Sequence, residues 1–332
     1  MKILHIGKKG NMERFSAPDA PLYMDGNKIC DMPMNLPAAE YIKAAGDAEH
    51  IIIDAIGDCR AELINGLPDL KSIHSEGVAF NRIDVEAASA RGVIVAHSRG
   101  MNATAVAEQA ILLMLGMLRN VAVNDRAVRD GVQIQAKEAY MINGNLTELA
   151  DCSVGLVGFG DIARATAKLL TAFGVKNIYY YKRTPVSREL EEEYKVSFMA
   201  LDELLAASDI VSLHVPVTPS TVKLADAEFF GKMKQGAYFV NTARGELVDD
   251  AALIDALRSG RLTMAGLDTL DNEPVSCEHP LLKAEAVSGR ILFSPHIGGI
   301  TASSFKRSYA MIWEDIETVR SGAVPKRAVN AR

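Results

Sequence analysis

The stretch from Ser153 to Leu170, SVGLVGFGDIARATAKLL, constrains the fold more than any other part of the chain: an apolar run meets two closely spaced glycines and then continues with helical periodicity. That order predicts strand, tight turn and helix. Gly158 and Gly160 let the backbone turn sharply and approach a ligand, while the helix from about Ile162 aims its unpaired amides and positive dipole end at an anion. Ala163 stands at the third position of the G-x-G-x-x-G pattern, where a small residue lets the helix pack on the strand. A dinucleotide pyrophosphate is the natural guest, although the same spacing also occurs in ordinary strand-to-helix turns.

At 332 residues, 48% of them hydrophobic, the chain is longer than most single cores grow, so two domains are expected. A net charge of -6 without any basic run argues against a nucleic-acid partner. The start, MKILHIG, turns polar too soon for a secretory signal, and no apolar run approaches the roughly 20 residues that span a bilayer, so a soluble, cytoplasmic protein with no membrane partner is expected. Cys30, Cys59, Cys152 and Cys277 lack C-x-x-C spacing, and His5, His50, His74, His97, His214 and His279 lack metal-ligand spacing. They read as reduced thiols and satisfied polar groups, with no metal site.

Along the chain, Met1 to Gly7 alternates like an opening strand, and Asn11 to Pro37 reads as a long irregular connection with a short element at Lys28 to Asp31. Helical patterns at Leu36–Gly46, Cys59–Gly66 and Asp84–Gly92 alternate with apolar runs at Ile51–Ile56, Leu70–His74 and Val93–Ala96, which together predict a parallel α/β unit. Asn102 precedes Ala103–Leu118, a helix apolar almost all round, which must be buried between domains or against a second subunit. Val121 to Leu149 is polar and poorly patterned.

After the glycine turn, the strand Asn177–Tyr181 ends where an NAD-binding unit presents an acid to the ribose hydroxyls. Here Tyr181 stands there, followed by Lys182, Arg183 and Thr184, a set suited to the 2′-phosphate of NADP unless the two cations merely solvate a strand end. Further strands are expected at Ile210–His214, Tyr238–Asn241, Met264–Leu267 and Ile291–Phe293, with helices at Leu201–Ser208, Phe229–Met233 and Ala251–Ser259. Ligands of parallel sheets collect past the carboxyl ends of strands, and three such ends carry Arg244, Asp268 and His296.

Six segments in order, GVAFNRIDV (77–85), NATAVAEQAILLMLG (102–116), GLVGFGDIA (155–163), VNTARGELVD (240–249), GLDTLDNEP (266–274) and SPHIGG (294–299), give the chain from about Ile51 to Val324 a pattern that resembles the D-isomer-specific 2-hydroxyacid dehydrogenases. The first fifty residues match poorly. The resemblance implies an α/β protein of two Rossmann-like or flavodoxin-like parallel-sheet domains with an active-site cleft between them. Residues 1–101 plus 297–332 would bind substrate and residues 102–296 the dinucleotide. It further implies NAD(P)H-dependent reduction of a 2-oxo acid to the D-2-hydroxy acid, and the reverse, with NADP(H) favoured by the basic strand end and NAD(H) possible.

Carried over by resemblance, Arg244 binds the carboxylate and carbonyl, His296 is the acid/base and Glu273 its partner. Gly158, Gly160, Asp161 and Ile162 take the pyrophosphate, Arg183 and Thr184 the 2′-phosphate, and Asp268 the nicotinamide carboxamide, while Pro216, Thr242, Ala243 and Thr104 line the groove. The amides of Val78 and Ala79 complete the carboxylate site and Met101 lines the pocket. Ala79 replaces the family's usual second glycine, and Glu76 beside it either favours a substrate carrying a hydroxyl or ammonium group or points to solvent. A homodimer through the long apolar helix is expected. The other reading is a dinucleotide-sensing scaffold without turnover, like the family's corepressors; formate or phosphite oxidation fits less well, because Glu273 stands where formate dehydrogenases tend to carry an amide.

Overall fold

The computed structural model describes residues 1–284 and 287–330, and the chain divides into two compact units, Met1–Asn102 with Ile300–Arg332, and Ala103–Gly299. The first unit holds five parallel strands, β1 (Lys2–Ile6), β2 (Lys28–Met32), β3 (His50–Ile53), β4 (Ser72–Ser75) and β5 (Ile94–His97), in the order β2-β1-β3-β4-β5. This is the flavodoxin-like order. Alternation along the strands builds two apolar layers: Leu4, Ile6, Ile51 and Ile53 join one cluster, and Ile3 and Ile52 join the other. The second layer is closed by the helix Ala302–Arg320, which brings Tyr309, Ile312, Trp313 and Ile316 onto the sheet and begins on Thr301, whose hydroxyl accepts from the Ser304 amide.

The segment read as irregular is more ordered than expected. It contains a helix at Asn11–Phe15, a single 3-10 turn at Pro21–Tyr23 and the edge strand β2 paired with β1. Met12 and Phe15 are buried, and Phe15 stacks on Phe305 with ring centroids 4.9 Å apart. A helix this short makes barely more than one turn, too little to display a period.

In the second unit the seven parallel strands are β6 (Ser153–Val157), β7 (Asn177–Tyr181), β8 (Ser197–Phe198), β9 (Ile210–Leu213), β10 (Ala237–Asn241), β11 (Leu262–Leu267) and β12 (Ile291–Phe293). Their order, β12-β11-β10-β9-β6-β7-β8, is a doubly wound Rossmann sheet whose direction of growth reverses between β6 and β9. The helix Ala103–Leu118 is buried inside this unit, packed against the helix Asp161–Ala172 and against β10 and β11. Gly266 permits that approach, since a Cβ there would lie 2.9 Å from the Leu113 Cβ.

Val121–Arg129 and Gln133–Asn143, within the stretch read as poorly patterned, are both helices. Their apolar side chains, among them Val121, Val128, Ile134, Met141 and Ile142, are exposed, and neither helix has a buried residue. The exposed apolar surface near the long helix lies chiefly on this pair, with Leu112 the exposed exception on the long helix itself. Among the described residues no single helix is long and apolar enough to cross a membrane.

Candidate active site

All strands of the second unit run the same way, so the residues that follow them gather at one edge of the sheet. After β6 comes Gly158 with φ +102, a conformation that L side chains rarely adopt; a Cβ there would lie 2.5 Å from the His214 carbonyl oxygen. The helix Asp161–Ala172 then starts at Gly160, an N-cap position that has no side chain. A helix that starts on a glycine, beside a turn that only glycine fits, suits a pyrophosphate. Thr242, past β10, is buried and its hydroxyl has no partner among the described residues. Past β7, Lys182, Arg183 and Thr184 are exposed, and none of their side chains bonds to another described residue. These features fit a dinucleotide.

The loops after β10, β11 and β12 converge. Arg244 follows β10 and lies in a depression of about 360 Å³ shared with Thr269, Leu270, Asp271, Glu273 and His296. Gly245 makes this convergence possible, because an added Cβ would sit 1.9 Å from the Leu270 carbonyl carbon. Asn241 donates from Nδ2 to the Arg244 carbonyl at 2.8 Å, and the Arg244 guanidinium donates to the Ala243 carbonyl at 2.7 Å. The Glu273 carboxylate accepts from the Leu270 amide at 2.8 Å through Oε1, and its Oε2 lies 2.6 Å from His296 Nδ1. That contact makes Nδ1 the donor and leaves Nε2 without a protein partner among the described residues. The His296 side chain is 43% exposed.

His296 is held by its neighbours in the chain. Its backbone sits at φ +55, a left-handed conformation costly for a residue with a Cβ. The buried Asp268 offsets that cost by gripping the loop: Oδ1 accepts from the Ser294 hydroxyl at 2.5 Å and the Ile297 amide at 3.1 Å, and Oδ2 from the Gly298 amide at 2.9 Å. Gln109, on the long helix, donates to the Ser294 hydroxyl at 2.8 Å.

In the first unit, the loop after β4 has its carbonyls pinned one after another. Ser308 Oγ donates to the Glu76 carbonyl at 2.5 Å, the Ser98 amide to that of Gly77 at 2.9 Å, His97 Nδ1 to that of Val78 at 2.8 Å, and Ser75 Oγ to that of Ala79 at 2.6 Å. In a trans peptide the N–H points opposite the carbonyl of the preceding residue. The Val78 and Ala79 amides are therefore turned away from the groups that hold Gly77 and Val78, and neither has an acceptor among the described residues.

Residues 111–298 match the family model described as D-isomer specific 2-hydroxyacid dehydrogenase, NAD binding domain. A glyoxylate reductase of Thermofilum pendens is 37% identical over 273 residues, covering 81% of this chain and 78% of that protein. The chain belongs to the D-isomer specific 2-hydroxyacid dehydrogenases. A D-3-phosphoglycerate dehydrogenase of Archaeoglobus fulgidus is 34% identical across 93% of this chain, which spans 56% of that longer protein. The NAD-complexed D-isomer specific 2-hydroxyacid dehydrogenase of Lactobacillus delbrueckii ssp. bulgaricus superposes with a TM-score of 0.84 at 26% identity, covering 99% of this chain and all of that one.

Within this dehydrogenase, the structure groups Arg244, Glu273 and His296 and lines up Gly158, Gly160, Asp161, Ile162, Pro216, Thr242, Ala243 and Asp268 along the carboxyl edge of the second unit's sheet. Thr104 is exposed in the first turn of the long helix, whereas Met101 is buried in the first unit, its carbonyl accepting from Arg307 at 2.7 Å. Glu76 departs from the expected alternatives of solvent or substrate. It is 3% exposed and bonded to protein. Sequence reasoning also missed Ser294 and Gln109, which brace Asp268, and Thr269, whose buried hydroxyl lacks a partner among the described residues. The motif SPHIGG contains Ser294, and its place two residues before His296 was the available signal.

Proposed function

We propose that this chain is an NADPH-preferring reductase of 2-oxo acids, forming the D-2-hydroxy acid and running in reverse at high product. The observation that carries this reading is the Glu273–His296 pair, whose Nε2 has no partner among the described residues and which lines the depression that also holds Arg244. Arg244 binds the substrate carboxylate with its planar fork and polarises the C2 carbonyl oxygen. His296, as imidazolium, gives its Nε2 proton to the oxygen as negative charge develops there, and Glu273 fixes the ring's orientation. The nicotinamide supplies the hydride to C2. Gly158, Gly160, Asp161 and Ile162 receive the pyrophosphate, Thr242, Ala243, Pro216 and Thr104 line the groove, and Asp268 holds the carboxamide.

The Ala103–Gly299 unit is the dinucleotide-binding domain in this reading, and the other unit binds substrate through the Val78 and Ala79 amides and through Met101. The similar glyoxylate reductase supports a small 2-oxo acid of the glyoxylate or hydroxypyruvate type, and larger acids remain within the proposal. The exposed apolar side chains of Val121–Arg129 and Gln133–Asn143 support a homodimer assembled through those helices. The cytoplasm is the proposed compartment.

Arg183 and Thr184, exposed past β7 where an acid would otherwise meet the ribose, support NADPH. Arg183→Ala is expected to raise the Kd for NADPH by about tenfold or more while leaving NADH within about twofold, as measured by fluorescence titration. Preference for NADH in the parent protein refutes the 2′-phosphate assignment. A panel from glyoxylate and hydroxypyruvate to branched and aromatic 2-oxo acids tests the reaction itself: dinucleotide binding without any turnover leaves the sensing scaffold instead.

A further inference from the structure

Beneath the loop that carries the Val78 and Ala79 amides lies a buried polar network that the proposed reaction does not use. His5, on β1, is fully buried; its Nδ1 lies 2.7 Å from Asp31 Oδ1 on β2 and its Nε2 lies 2.7 Å from Glu76 Oε1 just after β4. The Tyr309 hydroxyl, from the helix Ala302–Arg320, donates to the same Glu76 oxygen. Asp54, at the end of β3, feels the charges of both His5 and Glu76. Gly7 leaves the ring room to reach Glu76, because a Cβ there would lie 2.8 Å from His5 Nε2.

Both ring nitrogens face carboxylate oxygens, so with both carboxylates ionised His5 must donate twice and be an imidazolium. Burial pulls the His5 pKa down, but the bonds and charges of Glu76 and Asp31 outweigh it and leave the pKa raised. Glu76 Oε2 is buried without a partner among the described residues. An unbonded buried carboxylate oxygen costs stability, and an apolar side chain of the same shape would cost less. The same residue's carbonyl is held by Ser308, so Glu76 is gripped at side chain and main chain immediately before Gly77.

We propose that Glu76 is a positioning residue: braced by His5 and Tyr309, it sets the direction in which the Val78 and Ala79 amides meet the substrate carboxylate. This rests on the reading of those amides as part of the substrate site. The network also sets a pH limit on substrate binding. While His5 is charged, it offsets Asp31 and Glu76; once it loses its proton, uncompensated carboxylates sit behind amides that must receive another carboxylate, and affinity falls. Asp54 adds to that repulsion when ionised, whereas the Tyr309 phenol stays neutral, its pKa pushed up by burial and by Glu76.

Glu76→Leu removes the acceptor together with the charge, so that geometry and charge pull KM in opposite directions. Removing a negative charge alone would lower the KM for an anionic substrate, whereas a lost brace raises it. With glyoxylate and NADPH, the expected result is a KM raised about tenfold, kcat within about threefold, an unchanged Kd for NADPH, and an alkaline rise of KM that begins at lower pH because His5 has lost one carboxylate partner. Amide hydrogen exchange at residues 77–80 is expected to quicken. Tyr309→Phe keeps the charge and removes one bond, so a smaller rise of about threefold is expected; it also serves as the test should the leucine variant not fold. A folded variant whose KM stays within twofold of the parent, or falls, overturns the proposal. If the parent turns over no 2-oxo acid, the functional reading fails, and exchange alone decides the brace: faster exchange supports it and unchanged exchange overturns it.

Discussion

His5 and His296 make the same bond, an imidazole nitrogen against a glutamate oxygen at 2.7 and 2.6 Å, yet the molecule uses them in opposite ways. His5 is sealed, with a carboxylate at each nitrogen; His296 has one carboxylate behind it and its other nitrogen open, on a side chain 43% exposed. A ring satisfied on both sides holds its proton and fixes its neighbours. A ring satisfied on one side is oriented but still has a proton to give. A third arrangement lies in the first unit's sheet, where buried His50 and His74 share the Ser72 hydroxyl at 2.7 and 2.9 Å and have no carboxylate bonded to them among the described residues. Burial pushes their pKa values down to about 4 and about 3, so both rings are neutral.

The largest effect expected from this contrast is on His296. His296→Ala should lower kcat by roughly 10²- to 10⁴-fold with dinucleotide affinity intact, as read by steady-state kinetics and cofactor titration. A loss under tenfold would place the proton donor elsewhere. Next comes acid stability. His50 and His74 bind protons in the unfolded chain below about pH 6.5 but not in the fold until about pH 4 and pH 3, so their contribution is present above pH 6.5 and is lost as the pH falls. Denaturant titrations at pH 7 and pH 5 should differ by about 2 kcal/mol for each histidine that titrates this way. His74→Gln should flatten that slope, and an unchanged slope would mean that the rings are not neutral in the fold. His5 works in the other direction, stabilising below pH 6.5 and failing as the pH rises through its raised pKa. The smallest expected change is from Glu273→Gln, which keeps a hydrogen-bond acceptor and loses the charge; a kcat lowered about tenfold at unchanged NADPH affinity would show orientation without full electrostatic support.

Legibility followed burial. The strands of both sheets could be read because a strand covered on both faces shows as an unbroken β-branched or apolar run, as at Ile51–Ile53 and Ile210–Leu213. Val121–Arg129 and Gln133–Asn143 were harder: the first is amphipathic but only nine residues long, the second has no clear apolar stripe, and the apolar side chains of both face outward. Arg244, Glu273 and His296 were visible because each lies within a distinctive segment at or after a strand end. Glu76 was visible only as a residue beside a motif. Its partners are 71 residues earlier and 233 residues later, a distance at which no local pattern links them. A carboxylate in a loop normally faces water, and only the three-dimensional fold reveals this one inside.

The division of the chain also sets an order of assembly during synthesis. The Ala103–Gly299 unit is one continuous segment, complete before the last part of the chain is made, whereas the other unit must wait for the residues that return to it after Gly299. Until then Ile3, Met12, Phe15 and Ile52 lack Tyr309, Ile312 and Trp313, and β5 lacks the late bond from the Val329 amide to the Val95 carbonyl. A nascent chain therefore carries a finished Rossmann sheet beside an open one, and the brace on Glu76 is among the last contacts to form.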